Sequence, residues 1–241
     1  AGALRARRVL FDGGFGALLT AMGVVTDCPE ELGAKDPELI RSIHSAYARA
    51  GAEVAITATL GAHPIKLQKT GRGAHAAEWV KIAVENARAS GSEFVALDLG
   101  TTGEFLEPVG SLSFEAACEG YRLICRAARE AGADFALMET MTDIAECRCA
   151  CLAARAEGLP AAASFTFEKN GRTLTGGLPE CAAMILQAAG AIALGVNCSG
   201  GAEAMFAPLS AMRAASPLPV IVQPNAGLPV AGPDGSARYI S

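Results

Sequence analysis

The sequence predicts an α/β fold built on a parallel sheet, and three observations carry that expectation. Short, nearly continuous apolar runs alternate with longer Ala-rich stretches of helical spacing. The helical stretches repeatedly end on a glycine just before the next apolar run, as in Gly51-Ala52-Glu53, Gly91-Ser92-Glu93, Gly132-Ala133-Asp134 and Gly190-Ala191, where glycine supplies a left-handed cap. Each apolar run closes on polar or glycine residues: Asp12-Gly13-Gly14, Thr57-Ala58-Thr59, Asp98-Leu99-Gly100, Glu139-Thr140, Ser164-Phe165-Thr166, Asn197-Cys198-Ser199 and Gln223-Pro224-Asn225. Such groups all converge on one spot only if the sheet closes, whereas an open doubly wound sheet gathers its ligands at one switch point. The pattern therefore favours a (β/α)8 barrel, the TIM barrel, over the open sheet.

The elements follow in order. Strands are expected at Val9–Asp12, Val54–Thr59, Phe94–Leu99, Phe135–Glu139, Ala162–Phe167, Ile192–Asn197 and Val220–Gln223. A helix over Pro37–Ala50 has Asp36 as N-cap, Pro37 at its first position and Gly51 past its end. Further helices are expected at Ala74–Ser90, Ser113–Ala131 with Ser113 as cap, Thr142–Glu157, Pro179–Ala189 and Ala202–Ala215. The count reaches seven strands and stops at Tyr239-Ile240-Ser241. The last helix and eighth strand of a closed barrel are thus expected to be missing from residues 1–241. That leaves apolar edges on the first and seventh strands unless another segment fills the gap. No linker or low-complexity tract divides the chain, so residues 1–241 are read as one barrel domain, incomplete at its C-terminus.

Composition excludes several classes. The net charge is −5, from 20 Lys+Arg and 25 Asp+Glu, which argues against nucleic acid and anionic membranes as partners. Hydrophobic residues make up 51% and charged ones 19%, which excludes a disordered chain. No apolar window reaches transmembrane length, and the short basic start lacks the apolar core of a signal peptide. Eight cysteines show no disulfide framework, so reduced thiols in a cytoplasmic protein are expected.

Four places carry chemistry. Asp12, before Gly13 and Gly14, offers an anionic acceptor beside backbone that a ligand can approach closely. Glu139 ends an apolar strand, where a carboxylate is costly unless it is paired or binds something. Cys198, after Asn197 and ahead of a helix, is expected to have a lowered pKa and to serve as nucleophile or metal ligand. His63 sits in a strand-to-helix loop at the same face. Asp143 and Glu146 suit the first turn of a helix and read as structural. Cys147, Cys149 and Cys151 are two apart on a helix, so they cannot face one ion and read as core filler. His44 and His75 lie in helical runs and are expected to face outward or pack locally, and Trp79 to lie in the core or an interface. No lysine stands at a strand end, which disfavours Schiff-base lyase or aldolase chemistry.

Taken together, Phe11-Asp12-Gly13-Gly14-Phe15-Gly16, Pro29-Glu30-Glu31-Leu32, Ile40-Arg41-Ser42-Ile43-His44, Leu106-Glu107-Pro108-Val109-Gly110, Glu139-Thr140-Met141-Thr142-Asp143, Gly195-Val196-Asn197-Cys198-Ser199-Gly200 and Pro224-Asn225-Ala226-Gly227-Leu228-Pro229 resemble the homocysteine S-methyltransferase family, including the homocysteine domains of cobalamin-dependent methionine synthases. The resemblance runs from about residue 8 to 240. It implies a barrel that holds zinc through three thiolates, the metal making a thiolate of the substrate thiol. By position it implies Cys198 as the first zinc ligand and catalytic residue, and Asp12, Gly13, Glu139 and Asn197 around the substrate. It implies a donor such as methylcobalamin on a separate corrinoid domain or protein. The alternative is a non-catalytic barrel that binds a small amino acid or docks a corrinoid protein.

The sequence departs from the family pattern at Ala58, His63 and Thr101, all expected at the mouth. It also lacks the Gly-Gly-Cys-Cys segment that would supply the other two zinc ligands.

Overall fold

The computed structural model of the chain describes residues 2, 6–225, 228–231 and 237–240, the last two segments by their backbone alone. Its centre is a six-stranded parallel sheet of β1 (Val54–Ile56), β2 (Phe94–Leu99), β3 (Phe135–Met141), β4 (Ala161–Phe165), β5 (Ala193–Asn197) and β6 (Val220–Gln223), in sequential order. Sequential order with a helix between each strand and the next is the winding of a barrel wall, and the six strands curl into a half-barrel.

The expected first strand, Val9–Asp12, is reduced to a single parallel bridge between Phe11 and Val54. The Leu10 N–H is taken by the Glu53 carboxylate at 2.9 Å instead of a ladder partner, and Gly13-Gly14 then end the run. β1 is shorter than expected because hydroxyls replace its ladder. Thr57 and Thr59 share a hydrogen bond at 2.6 Å, Thr59 donates to the Asp98 carbonyl and Thr57 accepts from the Asp98 N–H.

The described residues do not form the closed eight-stranded barrel. No strand among them pairs with the outer edge of β6 or joins it to Phe11. Leu10 is 61% exposed and Val222 47%, the open apolar edges that a seven-strand count implies. Where the sequence suggested the onset of a further helix, β7 (Leu228–Ala231) and β8 (Ala237–Ile240) pair with each other as an antiparallel hairpin outside the sheet.

The helices are α1 (Phe15–Ala21), α2 (Pro29–Lys35), α3 (Pro37–Arg49), α4 (Pro64–Gln68), α5 (Ala76–Arg88), α6 (Phe114–Ala131), α7 (Ile144–Ala156), α8 (Pro179–Ala189) and α9 (Ala202–Ala215). Asp36, Ser113 and Asp143 cap α3, α6 and α7 with side-chain oxygens on backbone N–H groups. Gly132 and Gly190 close α6 and α8 at φ 95° and 89°. Glu146 is buried and structural as expected, accepting from the Thr102 N–H and from Tyr121 Oη at 3.0 Å.

Two apolar layers result. Outward-facing Val95, Leu97 and Leu99 of β2 pack under Trp79, Tyr121 and Ile124 of the helices. Val54, Ala96, Phe135, Leu137, Ala162, Ala193 and Ile221 fill the concave side. Cys147, Cys149 and Cys151 are buried filler, and Cys149 lies against Cys118 across α6 and α7 with their Cα atoms 5.4 Å apart.

His63 lies outside the mouth. It caps α4, its Nδ1 accepting from the Ile65 N–H and its Nε2 lying 3.2 Å from the Ala117 carbonyl, with Tyr121 edge-on to its ring. Burial lowers its pKa to about 4, so it is neutral. A Cβ on Gly120 would overlap this ring. Gly120→Ala is therefore expected to cost about 1–3 kcal/mol by overpacking, read as a lower urea midpoint with an unchanged m-value. An unshifted midpoint would show that the α4–α6 contact is loose.

Candidate active site

Alternation along the strands builds the site. Ala96, Leu137 and Ala193 belong to the concave layer, and side chains two or four residues further on keep the same face. Asp98, Glu139 and Asn197 therefore rise from that layer at the C-terminal ends of β2, β3 and β5. Asp12 joins them from the bridged segment. Together with Cys198 they line a cavity of about 970 Å³. The sheet thus brings together all five residues expected at the site: Asp12, Gly13, Glu139, Asn197 and Cys198.

The floor is strongly acidic. Asp12 Oδ2 accepts from the Ile56 N–H at 3.0 Å and lies 3.7 Å from Nδ1 of His44, too far for a hydrogen bond, while Asp12 Oδ1 has no partner. Asp98 is 7% exposed and its Oδ1 has no partner either. Burial raises the Asp12 carboxyl, partly opposed by His44 and the Ile56 N–H. Burial, reinforced by Glu139 and Asp12, raises Asp98 well above the usual carboxylate range. Burial and then Asp12 raise Glu139 to about 7. Glu30 is buried beside them but satisfied by the Gly61 N–H at 2.6 Å. Lys66 and Lys69 line the outer part of the cavity, with Lys69 committed to Glu104 at 2.6 Å.

Asn197 is the pin between β3 and β5. Its Oδ1 accepts from the Thr140 N–H at 3.1 Å and Ser164 Oγ at 2.9 Å, and its Nδ2 donates to Thr140 Oγ1 at 2.7 Å. This holds Thr140 at φ 56°, a costly conformation for a β-branched residue, where the β3 ladder shifts register. Cys198 is also left-handed, at φ 51°, and its Sγ lies 3.5 Å from Asn197 Nδ2 and 3.9 Å from Thr140 Oγ1.

The thiol is not activated as the sequence suggested. Burial around the sulfur raises its pKa, Glu139 and Asp98 add to the rise, and the bonds from Thr140 and Asn197 only partly oppose it. The expected helix N-terminus begins at Ala202, and three residues separate it from Cys198.

Gly13 owes its identity to Tyr47, whose hydroxyl would lie 2.9 Å from a Cβ there. His44, expected on an outer face or in local packing, is buried behind Asp12 against Phe15. Sequence reasoning missed His44, Thr140 and Asp98 as site residues. Asp98 carries the same signal that marked Glu139, a carboxylate closing an apolar strand.

A family model described as homocysteine S-methyltransferase matches residues 9–240. The chain belongs to the homocysteine S-methyltransferase family. Among relatives, it is 27% identical to the methionine synthase of Mycobacterium tuberculosis over 97% of its own length, but it spans only 21% of that protein. It is 31% identical to the homocysteine S-methyltransferase of Escherichia coli, covering 80% of this chain and 68% of the relative. The crystal structure of the homocysteine methyltransferase MmuM from Escherichia coli in its metallated form superposes with a TM-score of 0.79 at 28% identity, over 93% of this chain and 86% of that one. Its oxidized form gives 0.81 at 26% identity, over 92% and 84%. As a member of this family, the chain carries its carboxylates and Cys198 on the strand ends of a half-barrel. No helix among the described residues is long and apolar enough to cross a membrane.

Proposed function

We propose that this protein binds homocysteine and transfers a methyl group to its thiol, forming methionine. The observation that carries the reading is a cavity lined by the buried Asp12 and the half-buried Glu139, with no lysine or arginine paired to either among the described residues, opening beside the Cys198 thiol. An ammonium group entering there supplies the missing positive charge, and Gly13 leaves the backbone open to the rest of the amino-acid end. Asn197 and Thr140 hold the Cys198 sulfur at the same cavity.

Zinc is the metal that the family resemblance implies. A catalytic zinc takes three protein ligands. Among the described residues Cys28 and Cys198 are the thiols that line the cavity, and no group of three His, Cys, Asp or Glu is placed to hold an ion. These residues by themselves do not fit a zinc centre. A methylcobalamin donor on a separate corrinoid domain or protein rests on the resemblance alone, and a cytoplasmic location on the cysteine pattern.

The test is conversion of L-homocysteine to methionine with methylcobalamin as donor, read by mass spectrometry with metal content measured in parallel. Cys198→Ala is expected to abolish turnover while leaving the circular dichroism spectrum unchanged, because an exposed side chain at the mouth does not hold the core together. Full turnover in the variant would overturn the role of Cys198. Tight homocysteine binding without turnover under any donor would favour the non-catalytic binding barrel.

A further inference from the structure

A primary ammonium has three N–H donors. Three carboxylates line this cavity with acceptor capacity to spare, and the family resemblance accounts for only two of them. Asp98 is the third. It is more than nine-tenths buried, it faces the same concave side as Glu139, and its Oδ1 has no hydrogen-bond partner. Leaving a buried carboxylate oxygen without a donor is costly, and such a group in a native cavity points to a ligand.

No protein group meets that need among the described residues. The ion pairs there include no lysine or arginine on Asp12, Asp98 or Glu139, and the one pairing is His44 with Asp12 at 3.7 Å. Lys66 lines the cavity and acts on Asp98 only as a distant charge. Among the described residues no group of three His, Cys, Asp or Glu is placed to hold a metal ion. An ammonium, hydrogen-bonded at about 2.7–2.9 Å to each oxygen, spans a wider gap than a metal ion does.

We propose that Asp98 completes an ammonium cradle with Asp12 and Glu139, one carboxyl for each N–H. In this role it sets the preference of the site for a primary amine over N-methylated or deaminated thiols. The proposal rests on the reading of the cavity as an amino-acid thiol site and names the residue that selects within it. An incoming ammonium favours the ionised form of each carboxyl, so the cradle meets its ligand as carboxylates. The backbone of Asp98 is fastened on both sides, its N–H to Thr57 Oγ1 at 3.0 Å and its carbonyl to Thr59 Oγ1 at 2.8 Å, so the carboxyl is held without using its own oxygens.

Calorimetric titration tests this with four ligands: L-homocysteine, its N-methyl and N,N-dimethyl derivatives, and 4-sulfanylbutanoate, which lacks the amine. The wild-type protein is expected to lose about tenfold or more in affinity at each removed N–H. Asp98→Asn is expected to bind homocysteine at least tenfold more weakly, and to bind 4-sulfanylbutanoate within twofold of wild type, which also shows that the variant is folded. An equal loss for both ligands would make Asp98 a merely structural residue and overturn the proposal, as would unchanged homocysteine affinity. If the variant does not fold, the wild-type series decides alone: equal affinity for homocysteine and its N-methyl derivative overturns the cradle. Binding of none of the four by the wild type overturns the amino-acid thiol reading, and the cradle falls with it.

Discussion

Replacing Glu139 by glutamine is expected to weaken homocysteine binding by about 1.5–3 kcal/mol, roughly 10- to 150-fold, while making the free protein more stable at pH 8. The two effects have one cause. Folding raises the Glu139 carboxyl from 4.5 to about 7, first through burial and then through Asp12. The folded state therefore holds a proton that the unfolded state releases between pH 4.5 and 7. The contribution of this group is most favourable below pH 4.5 and is lost as pH rises to about 7, a penalty on the order of 2–3 kcal/mol above that range. Glutamine carries no such penalty. The ligand ammonium offsets it only when Glu139 is ionised, so wild-type affinity should also rise with pH through about 7 and then level off. Urea titrations at pH 5 and pH 8, beside calorimetry over the same range, check both halves. A large loss of stability with unchanged affinity would show Glu139 to be an internal ion-pair partner instead.

Asn197→Ala is expected to have the larger structural effect, about 2–4 kcal/mol of lost stability, with homocysteine affinity falling by more than tenfold. Its amide satisfies the Thr140 N–H, Thr140 Oγ1 and Ser164 Oγ at once, within 2.7–3.1 Å. Removing it strands polar groups in the interior and frees Thr140 from its left-handed conformation, worth about 1–3 kcal/mol of strain. Glu139 precedes Thr140, so relaxation there moves the carboxylate off the floor. Chemical denaturation and ligand titration read the two losses separately. A variant within about 0.5 kcal/mol of wild type and with normal affinity would show that Asn197 does not pin β3 to β5.

Some of this was legible in the residues alone. Val220–Gln223 is a strand where expected, and Ala202–Ala215 and Pro179–Ala189 are helices with the expected bounds. Strands buried on both faces and helices ending on glycine leave local marks, because apolar runs and left-handed caps are properties of a few neighbouring residues. The short helices α1, α2 and α4 leave no such mark, since five to seven residues are too few for a helical period to show. The shortening of the expected strand at Val54–Thr59 was equally hidden, for it depends on hydroxyls bonding to Asp98, about 40 residues away.

The sequence by itself determined that strands and helices alternate, which residues close each strand, and that Asp12, Glu139, Asn197 and Cys198 belong to one face. Periodicity and capping act over a few residues and survive being read in one dimension. Only the tertiary structure decided that Asp98 stands beside Glu139 with an oxygen to spare, that His44 backs Asp12, that His63 turns away to cap a helix against Gly120, and that the Cys198 thiol is pushed up rather than down. Each of these depends on which distant chain segments share a buried volume, because desolvation and Coulomb coupling follow distance in space rather than along the chain.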